Sequence, residues 1–120
     1  MELKLIRKND QALIVQHGTV AIKHMTRLKG LIGKSEFKSG EGMLFPRCNS
    51  IHMWMMSISI DVVFLGKQKD EWTILSLRPE LKPWKIFPVS CFDANDTLEL
   101  PAGTIARFKM KKGETLCIAS

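Results

Sequence analysis

Residues 48–65 of this 120-residue chain bring several side chains that could do chemistry close together in the sequence. The segment begins with a thiol, an imidazole, an indole and three thioethers, and it ends in an apolar run that contains one acid, Asp61. Soft ligands of this kind hold Cu(I) in proteins. The soft ligands are Cys48, His52, Met53, Met55 and Met56. A cysteine followed by a histidine is also the pairing of a nucleophile with a base.

Strand geometry argues against the copper site, and the lack of an orienting acid argues against the nucleophile. Successive side chains of a strand point to opposite faces, so Met53 and Met55 point away from His52, and only a bulge would bring them together. Methionine is also a common filler of irregular cores. No acid that would orient His52 is identifiable near Cys48. We therefore predict no metal site, no cofactor and no catalytic residue, and we leave Cu(I) binding to a titration against a competing chelator.

Asp61 is the second candidate for chemistry. Residues 60–65 are apolar at both strand parities apart from this acid, which is typical of a strand buried on both faces. A buried carboxylate needs hydrogen bonds and a cation to offset its lost hydration. We expect these from Arg27, Lys34 and the backbone amides at the start of a helix that Thr26 caps. Two interpretations stay open: Asp61 pins that helix to the sheet, or it lines a pocket and acts as a base.

Two tryptophans complete the candidate site. Trp84 lies in a proline-rich connection, where an indole either plugs one end of a barrel or forms part of an exposed binding patch. We expect Trp54, His52 and the helix at Thr26 to meet it at that end. The candidate binding residues are Arg27, His52, Trp54, Asp61 and Trp84. HExxH, GxSxG, P-loop and dinucleotide patterns are all absent, and the chain has no tyrosine.

The apolar pattern that positions these residues has mostly period two, which indicates strands. The helix capped by Thr26 runs to Gly33. The expected strands lie around residues 3–5, 13–15, 19–23, 60–65, 72–77, 98–100, 105–110 and 115–118. The turns are expected at residues 9–10, 17–18, 66–71, 101–103 and 112–114. The sequence thus predicts a mainly β, compact single domain over residues 1–120. It is a barrel or sandwich of about eight short strands with one short helix near the N-terminal third.

Charge and composition narrow the classes of protein. The net charge is +6, and the densest basic cluster, at residues 107–112, alternates with apolar residues as on the wet face of a strand. The three cysteines are far apart and include no CxxC pair, so free thiols are expected. No signal-peptide segment and no membrane-length apolar run is present. We therefore expect a cytoplasmic protein without a membrane partner.

Several short motifs together resemble a known family. They are Thr26-Arg27-Leu28-Lys29-Gly30-Leu31-Ile32-Gly33-Lys34, Gly42-Met43-Leu44-Phe45, the pair 52–55 and 60–65, residues 81–85, and Leu98-Glu99-Leu100-Pro101-Ala102-Gly103. Their order over residues 21–113 resembles the domain of unknown function 192 family of bacteria and archaea. The resemblance implies a compact, mostly β domain with a short helix near its start, and it implies no established activity. The chain departs from the family pattern at residues 56–59, where many relatives carry a basic or amide residue and a proline, and at Lys34, where relatives commonly carry an arginine.

Taken together, these patterns favour a small binding or interaction module for a small molecule or a protein. The alternative is a small hydrolase or isomerase that uses Asp61 or His52 as a general base. A second alternative is nucleic-acid binding through a basic face. The environment of Asp61 distinguishes the binding module from the enzyme. A fully enclosed and hydrogen-bonded carboxylate would be structural, whereas one that opens into a cleft beside His52 would favour the enzyme. The oligomeric state stays open.

Overall fold

The computed structural model describes residues 2–21, 37–51, 58–83 and 88–119. In chain order the elements are β1 (Glu2–Arg7), β2 (Leu13–Val20), β3 (Glu41–Phe45), β4 (Ser50–Ile51), β5 (Ile60–Gln68), β6 (Glu71–Leu81), β7 (Val89–Ser90), β8 (Asp96–Pro101), α1 (Thr104–Arg107) and β9 (Thr115–Ile118). Seven strands close a barrel in the order β1-β2-β3-β8-β5-β6-β9, and β4 pairs with β7 in a small sheet. The predicted mainly β domain is therefore confirmed as a barrel.

Side-chain alternation along β5 and β8 separates two apolar clusters. Val63 and Leu65 of β5 point into the barrel with Leu98 and Leu100 of β8, and we call this cluster the barrel core. Val62 and the other outward-facing residues of β5 form a second cluster, which we call the outer layer. Its buried members are Ile51, Ile60, Val62, Phe64, Val89 and Ala94. Because Ile51 and Val89 belong to β4 and β7, the small sheet covers part of the barrel's outer face.

The predicted turn at residues 17–18 is wrong, because β2 runs unbroken through them to Val20. Gly18 serves close strand packing instead of a turn. A Cβ atom at this position would lie 2.8 Å from the carbonyl oxygen of Leu3 and 2.9 Å from a methyl group of Val15. Separate strands at residues 13–15 and 19–23 are therefore replaced by one strand as far as residue 20, and residues 22–23 lie outside the described part.

The predicted strand at residues 105–110 is also wrong, because the chain forms α1 and a turn there. Gly103 adopts a φ of 94°, which redirects the chain after β8. The Thr104 hydroxyl then donates to the Pro101 carbonyl over 2.7 Å, and the Arg107 N–H donates to the Gly103 carbonyl over 2.9 Å. The basic residues at 107–112 therefore lie on a helix and turn, not on the wet face of a strand.

The hairpin predicted around residues 66–71 is confirmed, with longer strands and a tighter turn at Lys69 and Asp70. The final strand is confirmed at Thr115–Ile118. The helix predicted from Thr26 lies outside the described residues. Within the described ranges α1 is the one helix, it lies near the C-terminus, and none there is long and apolar enough to cross a membrane.

A buried arginine holds the turn after α1 against the start of the barrel. The Arg7 guanidinium donates to the carbonyl of Phe108 over 2.6 Å and to the carboxylates of Asp10 and Glu114 over 2.8 and 3.3 Å. Its hydrogen bond to Asp10 lowers the pKa of that carboxyl. Glu114 thus forms an ion pair with Arg7, and its carboxylate also accepts a hydrogen bond from the backbone N–H of Lys111.

Candidate functional site

Asp61 is completely enclosed near the start of β5, on the inner side of the barrel. Its Oδ1 accepts the backbone N–H of Glu80 and its Oδ2 accepts the backbone N–H of Ile105, each over 2.8 Å. The strand pairing jumps here from Ile60–Leu81 to Val62–Arg78, so residues 79 and 80 of β6 lie opposite Asp61 alone. This is a β-bulge, and the carboxylate satisfies the N–H group that the bulge removes from the ladder.

These partners differ from the predicted ones. Asp61 is satisfied by two peptide N–H groups, and one of them opens a helix, but that helix is α1 rather than the helix predicted at Thr26. Arg27 and Lys34 lie outside the described residues. The carboxylate ties β5, β6 and α1 together, which supports the structural interpretation of Asp61.

The other predicted site residues are not described. Arg27, His52, Trp54 and Trp84 all lie outside the described ranges, so the structure places Asp61 alone of that set. For the copper hypothesis only Cys48 is described. Its thiol donates to the Ser50 carbonyl over 3.2 Å, and Met53, Met55, Met56 and His52 lie outside. No group of three metal-binding side chains occurs within the described ranges, and all three cysteines are half-buried free thiols.

Glu99, to which the sequence pattern assigns no role, is buried in the structure. It lies on β8 between Met43 of β3 and Val62 of β5, and it faces the outer layer rather than the barrel core. The residue is only 7% exposed, and within the described ranges its carboxyl makes no hydrogen bond or ion pair. Burial raises its pKa from 4.5 to about 8, so the neutral acid dominates at neutral pH.

The charged neighbours of Glu99 in the described ranges form no ion pair with it. Arg78 lies beyond Val62 in the same cross-strand row, but its guanidinium sits 5.8 Å from the centre of the Phe64 ring and donates to Ser76. Glu41 precedes Met43 by two residues on β3, and its carboxylate accepts the Lys38 N–H over 2.6 Å. The described surroundings of Glu99 are otherwise mainly apolar.

A cleft of about 230 Å³ opens where β8 ends. It is lined by residues 101–104, Arg107, Phe37 and Ser39. The Arg107 guanidinium donates to the Ser39 hydroxyl and lies 4.6 Å from the centre of the Phe108 ring. Arg107 has no carboxylate partner within the described ranges. We call this feature the Arg107 cleft.

The model of the DUF192 family, "Uncharacterized ACR, COG1430", matches residues 5–118. The chain belongs to the DUF192 family. The resemblance over residues 21–113 is thereby confirmed and extended in both directions. A comparison with curated proteins finds no match.

Two solved structures share the fold of this DUF192 domain. One is a "putative transcription regulator" from Sinorhizobium meliloti 1021, with a TM-score of 0.82 and 22% identity over 98% of this chain and 92% of that one. The other is a protein of unknown function from Novosphingobium aromaticivorans DSM 12444, with a TM-score of 0.80 and 21% identity over 94% of this chain and 82% of that one. At these identities the similarity shows the fold alone.

Proposed function

We propose that this DUF192 domain is a binding module whose ligand pairs with the carboxyl group of Glu99. One observation carries the proposal: Glu99 is nine-tenths buried on an apolar face and makes no hydrogen bond in the described part of the chain. No fully buried side-chain oxygen or nitrogen of the described residues lacks a partner, so the carboxyl of Glu99 keeps a small contact with solvent through which a ligand could reach it. A strongly perturbed acid without a structural partner is a common mark of a functional site.

The chemistry around Glu99 favours an organic cation with an apolar body. An ammonium group would pair with the carboxylate and offset its desolvation, which is the cause of the raised pKa. The partly buried apolar side chains packed against the outer layer, among them Met43 beside Glu99, match an alkyl or aryl group. The net charge of +6 opposes a cation only weakly, because salt screens exposed charges beyond about 8 Å.

Titration of the ¹⁵N-labelled protein at pH 8 with benzylammonium, and separately with neutral benzyl alcohol, tests this proposal. We expect saturable shifts of the backbone amide signals of β5 and β8 with the amine, and at least about tenfold weaker binding of the alcohol. Glu99→Gln should weaken amine binding about tenfold or more. The matched control is Asp70→Asn, which makes the same carboxyl-to-amide replacement at the exposed β5–β6 turn and should keep the affinity within about twofold.

Equal binding of amine and alcohol, or equal losses in Glu99→Gln and Asp70→Asn, would show that Glu99 recognises no cation. The Glu99 carboxyl ¹³C signal gives an independent measurement, because a bound ammonium group must lower the pKa of this acid. A pKa that benzylammonium leaves unchanged would argue against the proposal even if the amine bound elsewhere.

A small acid–base enzyme is the second candidate, because a carboxyl with a pKa of about 8 is suited to proton transfer near neutral pH. Glu99 supports this hypothesis better than Asp61, whose oxygens are enclosed and already accept two N–H groups. Deprotonation of 5-nitrobenzisoxazole, an apolar reporter of carboxylate bases, tests it. We expect Glu99→Gln to lower the rate about tenfold. Equal rates in the wild type, Glu99→Gln and Asp70→Asn would exclude Glu99 as a base.

A further inference from the structure

We propose that the Arg107 cleft is a second binding site, which takes a small oxyanion, a carboxylate or phosphate group, attached to a compact apolar body. The site is independent of Glu99, since the cleft is lined by residues 101–104, Arg107, Phe37 and Ser39 and rests on a different charge. A result that contradicts the amine site at Glu99 would therefore not contradict this second site.

The first support is the state of the guanidinium. Arginine offers five N–H donors in a planar fork, and the contact with the Ser39 hydroxyl uses one nitrogen of Arg107. This contact and the stacking on Phe108 orient the side chain across the cleft, while no carboxylate of the described ranges neutralises it. A fixed, unneutralised guanidinium is suited to bidentate binding of a carboxylate or phosphate.

The second support is the charge of the surrounding segment. Residues 100–113 contain no acid, and Lys109, Lys111 and Lys112 are exposed beside Arg107. The nearest acid along the chain, Glu114, is engaged with Arg7. The segment that carries Arg107 thus has four basic residues and no acid, and such a local excess of positive charge attracts anions.

The lining and size of the cleft define the rest of the ligand. Phe37 packs against the outer layer, and together with Pro101 and Ala102 it gives the cleft an apolar wall. A volume of about 230 Å³ accommodates a small organic acid. The first turn of α1 is not the anion donor, because the Ile105 N–H already donates to Asp61 and the Thr104 hydroxyl donates to Pro101. Recognition therefore depends on Arg107.

Isothermal titration at low salt with phenyl phosphate, benzoate, inorganic phosphate and neutral benzyl alcohol tests the proposal. We expect phenyl phosphate or benzoate to bind at least about tenfold more tightly than either benzyl alcohol or inorganic phosphate, and their ranking identifies the preferred oxyanion. Arg107→Met should weaken this binding about tenfold or more, and Arg107→Lys should be intermediate because it loses the bidentate fork. The matched control is Lys112→Met, which removes the same charge outside the cleft and should change the affinity less than about threefold.

Because Arg107 is exposed, the variants should fold, and unchanged backbone amide spectra away from the cleft verify this. No detectable binding of phenyl phosphate and benzoate at about 10 mM would overturn the proposal. Equal losses in Arg107→Met and Lys112→Met would also overturn it, because they would indicate a diffuse basic surface. If a DNA duplex bound the wild type and lost affinity equally in Arg107→Met and Lys112→Met, the surface would be one that binds polyanions in general.

Discussion

Replacement of Asp61 with alanine is expected to lower the free energy of unfolding by about 3–5 kcal/mol. The carboxylate accepts two backbone N–H groups, from Glu80 and Ile105, and both bonds are charge-assisted at 2.8 Å. Alanine would leave the bulge in β6 and the start of α1 without acceptors, and the Ile105 N–H is buried. An unsatisfied buried donor costs more than the bond itself contributes, so the two losses add to a large effect.

Urea denaturation at pH 7 measures this effect, with Asp70→Ala as the control at an exposed position. The control should stay within about 0.5 kcal/mol of the wild type. Asp61→Asn should lie between the two, at about 2–3 kcal/mol, because its carbonyl oxygen accepts one N–H while its amide group faces the other. If Asp61→Ala were as stable as the control but lost a ligand, Asp61 would be a binding residue rather than a structural one.

The parts of the fold that the sequence predicts well are those in which one local signal dominates. Residues 60–65 are apolar at both parities because β5 lies between the barrel core and the outer layer, so the pattern and the burial agree. The hairpin of β5 and β6 is equally legible, because a polar segment interrupts two apolar runs. The seven-stranded closure depends on long-range pairing, such as that of β1 with β9, which no short pattern specifies.

The errors fall where one residue type serves two structural purposes. Gly18 resembles a turn glycine, but it lies inside β2, where it permits close contact with Leu3 of β1. Residues 105–110 alternate like a strand, yet Gly103 with its positive φ and the Thr104 hydroxyl start a helix. The need of Asp61 for donors was predictable from its burial, but the identity of those donors was not. They come from residues 19 and 44 positions away along the chain.

Glu99 was overlooked for a related reason. In Leu98-Glu99-Leu100 the acid occupies the parity opposite two core leucines, which in a single-layer barrel would face water. The outer layer reverses that expectation, because the small sheet and the outward side chains of β5 bury this face. Local periodicity shows which face a residue occupies, but it does not show whether a second layer covers that face.

Burial of Glu99 is expected to make the domain lose about 3–4 kcal/mol of stability between pH 5 and pH 8. Its pKa is about 8 in the folded protein against 4.5 ordinarily, so the folded state binds the proton more tightly. Above pH 4.5 the unfolded chain has released this proton, and each further pH unit lowers the free energy of unfolding by about 1.4 kcal/mol. The loss ends near pH 8, where the folded state ionises as well. Asp10 acts in a separate window, because its lowered pKa removes stability only as the pH falls below about 4.

Urea denaturation of the wild type, Glu99→Gln and Asp70→Asn at pH 5, 6, 7 and 8 measures this dependence. Glutamine imitates the neutral acid, so Glu99→Gln should nearly match the wild type at pH 5 and exceed it by about 3–4 kcal/mol at pH 8. Asp70→Asn should keep the slope of the wild type. Parallel curves for the wild type and Glu99→Gln would mean that Glu99 finds a partner or reaches water when it ionises. The expected result is that Glu99→Gln is more stable than the wild type at pH 8. It would mean that the chain keeps an acid that lowers its stability, as binding and catalytic sites do.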